Sequence, residues 1–289
     1  MLCEVFSFRT TMLKVPNFLK HKTCKRMSKQ WLSNKCIVII GGTAGMGLSA
    51  ALACIKEGAK IVAVGRNSEH SKDTQERIKN NGIAITGDAT DETVAEQAIE
   101  TCVKDFGNFN GLYHVAGASG RKFGDGPLHE LTTEGWEKTL QLNLTSLMFS
   151  NRAAIKYFMQ QNKGGVILNM GSVLGFSPSP KYFSTHAYAA TKSAVIGFTK
   201  SIAAYYASYN IRVNVIAPSL IETPMSQRAA GDETIMQFIK TKQPLDGGRI
   251  GVPEDADGAA IFLLSDHSKF ITGQIVAVDG GWSVSEGQY

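Results

Sequence analysis

Cys36-Ile37-Val38-Ile39-Ile40 runs straight into Gly41-Gly42-Thr43-Ala44-Gly45-Met46-Gly47. The first five residues are apolar and mostly β-branched, and they stop at glycine. Such a run predicts a strand buried on both faces of a parallel sheet. Helix-like sequence follows from Gly47 to Glu57 and ends at Gly58. A glycine-rich turn between a buried strand and a helix lets the backbone approach a pyrophosphate, and the helix N-terminus faces the negative charge. The turn therefore predicts a dinucleotide site using Gly41, Thr43, Gly45, Met46 and Gly47. Its spacing is G-x-x-x-G-x-G, and the alternative is a tight turn without a ligand.

The alternation continues outward from this unit. Apolar runs at Lys60–Val64, Ile83–Ile85, Gly111–Val115, Val166–Met170, Ile211–Ile216 and Gln274–Val278 predict six more strands. Helical patterns fill the gaps near Glu69–Asn80, Glu92–Phe106, Thr133–Gln161 (as one helix or two pieces), Ala187–Ala207 and Glu254–Leu264. About seven strands alternating with helices predict an α/β fold, a doubly wound parallel sheet of the Rossmann kind in a single domain.

The end of the second strand is where such a sheet reads the adenosine ribose. An acid there would favour NAD, and a cation accommodates the 2′-phosphate of NADP. Gly65-Arg66-Asn67 offers Arg66 and no acid, so NADP is expected over NAD. A solvated loop arginine is the alternative. Asp88, after the third strand, is a candidate for the adenine amino group or for a plain turn or N-cap role.

The 289 residues carry a net charge of +5, but the excess sits at one end. Residues 1–30 hold seven basic side chains against Glu4, which leaves residues 31–289 near neutral. This reads as a basic arm ahead of a catalytic domain spanning 31–289. It is either an over-extended start before Met27 or a transit peptide over residues 1–26. No basic stripe interleaved with aromatics follows, so nucleic acid is not an expected partner. No long apolar run predicts a membrane span. Five cysteines without metal spacing predict a reduced, cytoplasmic setting, or a mitochondrial one if the arm is a transit peptide, and no metal.

Tyr188-Ala189-Ala190-Thr191-Lys192 puts a phenol and an ammonium on one face of a predicted helix. A cation beside a phenol is expected to lower its pKa and let it exchange a proton with a carbonyl or alcohol oxygen. Ser172 follows a strand end, where parallel sheets hold ligands. Asn143 is a polar residue in an apolar helical stretch and must find partners.

Together these motifs resemble the single-domain branch of the short-chain dehydrogenase/reductase family, over about Leu32 to Trp282. The glycine turn, Asn143, Asn169-Met170-Gly171-Ser172, Tyr188 to Lys192, Pro218 with Thr223, and Val278-Asp279-Gly280-Gly281 fall in the family's order. The resemblance implies that Tyr188 is the acid/base and that Lys192 also holds the nicotinamide ribose. It further implies that Ser172 binds the substrate oxygen and that Asn143 anchors a proton-relaying water. Ala116 and Gly117 would line the cofactor, with Pro218, Ile221 and Thr223 near the nicotinamide amide. Three positions depart from the pattern: Ile40 for Thr, His114-Val115 for Asn-Asn, and Ser219 for Gly. They put cofactor affinity in question more than chemistry. His114 reads as a buried filler rather than a catalyst.

The expected function is hydride transfer between NADP(H) and a small carbonyl or secondary alcohol. Among relatives the resemblance includes 3-oxoacyl-carrier-protein reductases and sugar or polyol dehydrogenases. Val166 and Tyr209 stand where carrier-protein enzymes often place arginine, which weakens that substrate. A non-catalytic dinucleotide sensor or scaffold, and a sugar-nucleotide epimerase, are the other classes considered. Retention of Tyr188, Lys192 and Ser172 speaks against the first, and chain length and glycine spacing against the second. Thr223–Gly248 is expected to form a lid, its apolar content hinting at a partly hydrophobic substrate. By family analogy the chain is expected to be a homotetramer.

Overall fold

The computed structural model describes residues 30–287. The expected basic arm, with Cys3 and Cys24, lies outside them except for Gln30, whose side chain donates to the Lys56 carbonyl. The described chain runs β1 (Cys36–Ile40), α1 (Gly45–Lys56), β2 (Lys60–Gly65), α2 (Ser68–Ile78), β3 (Gly82–Thr86), α3 (Glu92–Phe106) and β4 (Gly111–His114). It continues with α4 (Thr133–Leu140), α5 (Ser146–Gln161), β5 (Gly165–Met170), α6 (His186–Tyr206) and β6 (Ile211–Pro218). It closes with α7 (Gln227–Ala230), α8 (Glu233–Lys242), α9 (Asp257–Leu264) and β7 (Ile275–Val278).

The seven strands are parallel and lie in the order β3-β2-β1-β4-β5-β6-β7. Because β1 is flanked by β2 and β4, the winding reverses there, and the chains leaving the carboxyl ends of β1 and β4 run to opposite faces of the sheet, where such folds place a ligand crevice. Every residue of β1 is buried, as its unbroken apolar run requires. Alternate strand residues feed two cores. Val38 and Ile40 meet Ala98 and Cys102 of α3, Ala154 and Phe158 of α5, and Ala203 of α6. Ile37 and Ile39 meet Ala51 and Cys54 of α1 and Leu263 of α9. A third cluster ties Val173 to the lid residues Ala229, Ile235 and Ile239 and to Trp282.

The helix expected over Thr133–Gln161 is interrupted. Gln141–Thr145 forms one π-helical turn between α4 and α5, and Asn143 sits inside it. Among the described residues no helix is long and apolar enough to cross a membrane.

Candidate active site

The glycine turn and α1 form one unit. Gly41 has φ +86°, and a Cβ on Gly47 would land 2.0 Å from the Gly41 carbonyl oxygen, so glycine is required at both. No side chain caps α1 and its first turn holds no acid. Its leading N–H groups are left for an outside anion, which is the donor set a pyrophosphate fits. The Thr43 side chain packs on Gly65, where a Cβ would meet its Oγ1 at 1.7 Å. That contact brings the exposed Arg66 to the edge of the turn. No ion pair involves Arg66 among the described residues. Asp88 spends one oxygen on a local turn, accepting from Thr90 N at 2.9 Å and Thr90 Oγ1 at 2.8 Å.

Other cofactor candidates line the same rim. Ala116 N donates to Ile40 O. A Cβ on Gly117 would stand 2.7 Å from Asn143 Oδ1 and 3.6 Å from Lys192 Nζ, so the loop after β4 runs directly past the reacting residues. Pro218 ends β6, Ile221 is buried and bridges to Gly251, and the Thr223 methyl lies against Gly45.

Asn143, Ser172 and Lys192 are nearly inaccessible and Tyr188 is half-buried. Asn143 Nδ2 donates to Ala118 O at 2.8 Å and Thr139 O at 2.9 Å, while its Oδ1 accepts from Ala118 N. Lys192 Nζ donates to Met170 O at 2.8 Å and lies 5.5 Å from the Tyr188 ring centre. Ser172 Oγ accepts from Leu174 N at 3.2 Å, and its hydroxyl is close enough to Tyr188 to bear on the phenol's pKa.

The electrostatics differ from the expectation that the cation lowers the phenol's pKa. Burial pushes Tyr188 up to about 12, and only the neighbouring Ser172 hydroxyl opposes it. Burial also brings Lys192 down to about 8. Desolvation outweighs the pair's attraction, because the ammonium points past the ring to a main-chain carbonyl. His114 is fully buried, shares a 2.8 Å hydrogen bond with Ser150 Oγ, and is pushed down to about 3 by burial. It is a neutral core residue.

One acid escaped the sequence reading. Asp125 is 3% exposed, and its two oxygens accept from Ala187 N and Tyr188 N, each at 3.0 Å. Thr185 stands at the N-cap of α6 but makes no side-chain cap. Asp125 therefore caps that helix from a distant loop and holds Tyr188 by its own backbone. Two arginines also went unnoticed: Arg121 and Arg228 both reach the Tyr182 carbonyl. In the segment expected to form a lid, Ile235 and Ile239 pack around Trp282, while Met225 stays exposed. A cavity of about 750 Å³ lies between the loop at 178–182 and α8, and none of the four reacting residues lines it.

Known proteins resemble this chain along most of its length. A family model described as enoyl-(acyl carrier protein) reductase matches residues 41–283. The 2-(S)-hydroxypropyl-CoM dehydrogenase 3 of Xanthobacter autotrophicus is 34% identical, over 86% of this chain and 97% of its own. The 2-dehydro-3-deoxy-D-gluconate 5-dehydrogenase of Dickeya dadantii is 33% identical, over 87% and 96%. The NADP-dependent (R)-specific alcohol dehydrogenase of Lentilactobacillus kefiri is 34% identical, over 87% and 98%. A short-chain type dehydrogenase/reductase from Mycobacterium ulcerans superposes with a TM-score of 0.79 at 27% identity, covering 88% of this chain and 91% of that one.

Proposed function

This chain belongs to the short-chain dehydrogenase/reductase family, and from that premise we propose an NADP(H)-dependent oxidoreductase acting on a small carbonyl/secondary alcohol pair, with Tyr188 as general acid/base. The observation that carries the reading is the gathering of Ser172, Tyr188, Lys192 and Asn143 at one rim, with the Lys192 ammonium 5.5 Å from the Tyr188 ring centre and, like Asn143, beside Gly117. Bound dinucleotide would supply or accept the hydride. The chain's own groups handle the oxygen. Tyr188, held protonated by burial, gives its proton to the carbonyl oxygen as negative charge develops there. Ser172 donates a hydrogen bond to the same oxygen. Lys192, fixed on Met170 O, would hold the ribose and favour the phenolate once the proton has left. Asn143 opens the helix at its π-turn and would seat a relaying water.

Arg66 supports NADP, as do the acid-free end of β2 and the NADP dependence of the Lentilactobacillus relative. We place the assembly as a homotetramer, on the half-exposed edge strand β7 and the exposed Tyr205, Tyr209 and Phe270. The buried free thiols Cys36, Cys54 and Cys102 accord with a reducing compartment, for which the cytoplasm is our proposal.

Fluorescence titration with NADPH and NADH, on wild type and Arg66→Ala, tests the cofactor reading. Tighter NADPH binding that weakens about tenfold in the variant, with NADH little changed, is expected. Equal or tighter NADH binding overturns the Arg66 argument, and binding of neither reopens the sensor or scaffold class.

A further inference from the structure

Two guanidiniums meet beside the reaction centre. Arg121 lies on the turn that begins at Gly117, against Asn143 and Lys192. Arg228 lies on α7 of the lid. One Nη of each reaches the carbonyl oxygen of Tyr182, at 3.4 and 3.3 Å, and Tyr182 belongs to the loop leading into Tyr188. Three segments, one of them the loop that leads into Tyr188, thus converge on one acceptor.

That acceptor is a poor match for two cations. Arg77, Arg152 and Arg249 pair with carboxylates. Arg212 is enclosed by three carbonyls. Arg121 and Arg228 have no ion pair among the described residues. Asp125 is the nearby acid, but its two oxygens are engaged by the Ala187 and Tyr188 N–H groups. Arg121 is half-buried and feels the like charge of Arg228. Holding two guanidiniums together with only one shared carbonyl between them costs repulsion that a full anion would relieve. The guanidinium fork matches a planar carboxylate in particular.

We propose that Arg121 and Arg228 form a carboxylate subsite, so that the Tyr188 centre acts on a keto acid/hydroxy acid pair. This rests on the oxidoreductase reading above. The carboxylate replaces the two long bonds to Tyr182 and draws α7 toward the turn at 119–121. It takes no part in the redox change: the keto carbon gains a hydride, its oxygen gains the Tyr188 proton, and the carboxylate leaves unaltered. The hydride donor is the reduced dinucleotide of the proposed activity.

The test uses matched probes at saturating NADPH: acetoacetate against methyl acetoacetate, and levulinate against methyl levulinate. Wild type, Arg121→Gln and Arg228→Gln are compared. Wild type is expected to favour one acid over its ester by about tenfold or more in kcat/KM. Each variant should then lose about tenfold to a hundredfold on the acid, through KM, while keeping the ester rate. Equal treatment of acid and ester by wild type overturns the proposal. So does an equal loss on both probes in the variants, because that is what a purely structural clasp on Tyr182 would give. If neither acid nor ester is reduced, the activity reading fails on these probes, and the subsite is decided by malonate binding at constant ionic strength. A thermal shift that disappears in both variants upholds it, and an unchanged shift or none overturns it.

Discussion

The candidate reaction centre and the segment expected to form a lid, 223–248, are held in different ways. Asn143 and Lys192 are almost fully buried and anchored on main-chain carbonyls of other segments, and Tyr188 is fixed through its own N–H by Asp125. The segment 223–248 is held by an apolar cluster around Trp282 and by hydrogen bonds near its end, where Lys242 Nζ donates to Ser285 O and Gln243 Oε1 accepts from Leu220 N, while its outward face keeps Met225 and Arg228 exposed. Main-chain anchors lock geometry, since moving them leaves buried polar groups unpaired. Apolar contacts are non-directional and leave more room to re-pack. On the reading proposed above, the chemistry is set by the sheet rim, and the choice of substrate by the segment 223–248 and the turn at 119–121.

Breaking the rim side should cost most. Ser172→Ala is expected to lower kcat by about a hundredfold to a thousandfold, the usual loss of one donor to a developing oxyanion. NADPH affinity should stay unchanged, so steady-state kinetics beside a cofactor titration checks it.

Lys192 sharpens the comparison through stability. Its pKa is brought from 10.5 to about 8 by burial, so the unfolded chain binds the extra proton between those values. Stability from this group is present above pH 10.5 and lost as pH falls through about 8. The penalty at neutral pH is about 3 kcal/mol. Lys192→Met should therefore be more stable than wild type at pH 7 while inactive, and urea melts should show the gap shrinking as pH rises from 8 to 10.5.

A smaller loss is expected at Asp125. Asp125→Ala leaves two N–H groups at the start of α6 without their acceptor and should cost about 1–3 kcal/mol of stability. Activity should drop about tenfold as Tyr188 loses its fixed position. Asp125→Asn, which keeps one oxygen acceptor, should recover part of both, as melts and kcat on the same samples would show.

What the sequence revealed follows the same division. The seven strands are readable because buried parallel strands are continuous apolar runs, as Cys36–Ile40 shows. Tyr188 and Lys192 are readable because four residues make one helical turn. Asn143 announces itself as an amide in apolar surroundings, although its π-turn has no sequence mark. Asp125 stayed hidden because its partners are 62 and 63 residues away, and Thr185 already offers an ordinary N-cap residue. Arg121 and Arg228 meet only through a carbonyl on a third segment, which no periodicity encodes. The rise of the Tyr188 pKa depends on burial and on where the Lys192 ammonium points, and spacing alone suggested the opposite sign.

The most direct test of the central claim is single-turnover carbonyl reduction with NADPH on wild type and Tyr188→Phe, using whichever ketone wild type reduces fastest. Tyr188→Phe should keep NADPH affinity and lose about a hundredfold to ten-thousandfold in rate. A variant that reduces the ketone at near the wild-type rate would contradict Tyr188 as the proton donor and with it the account of the site.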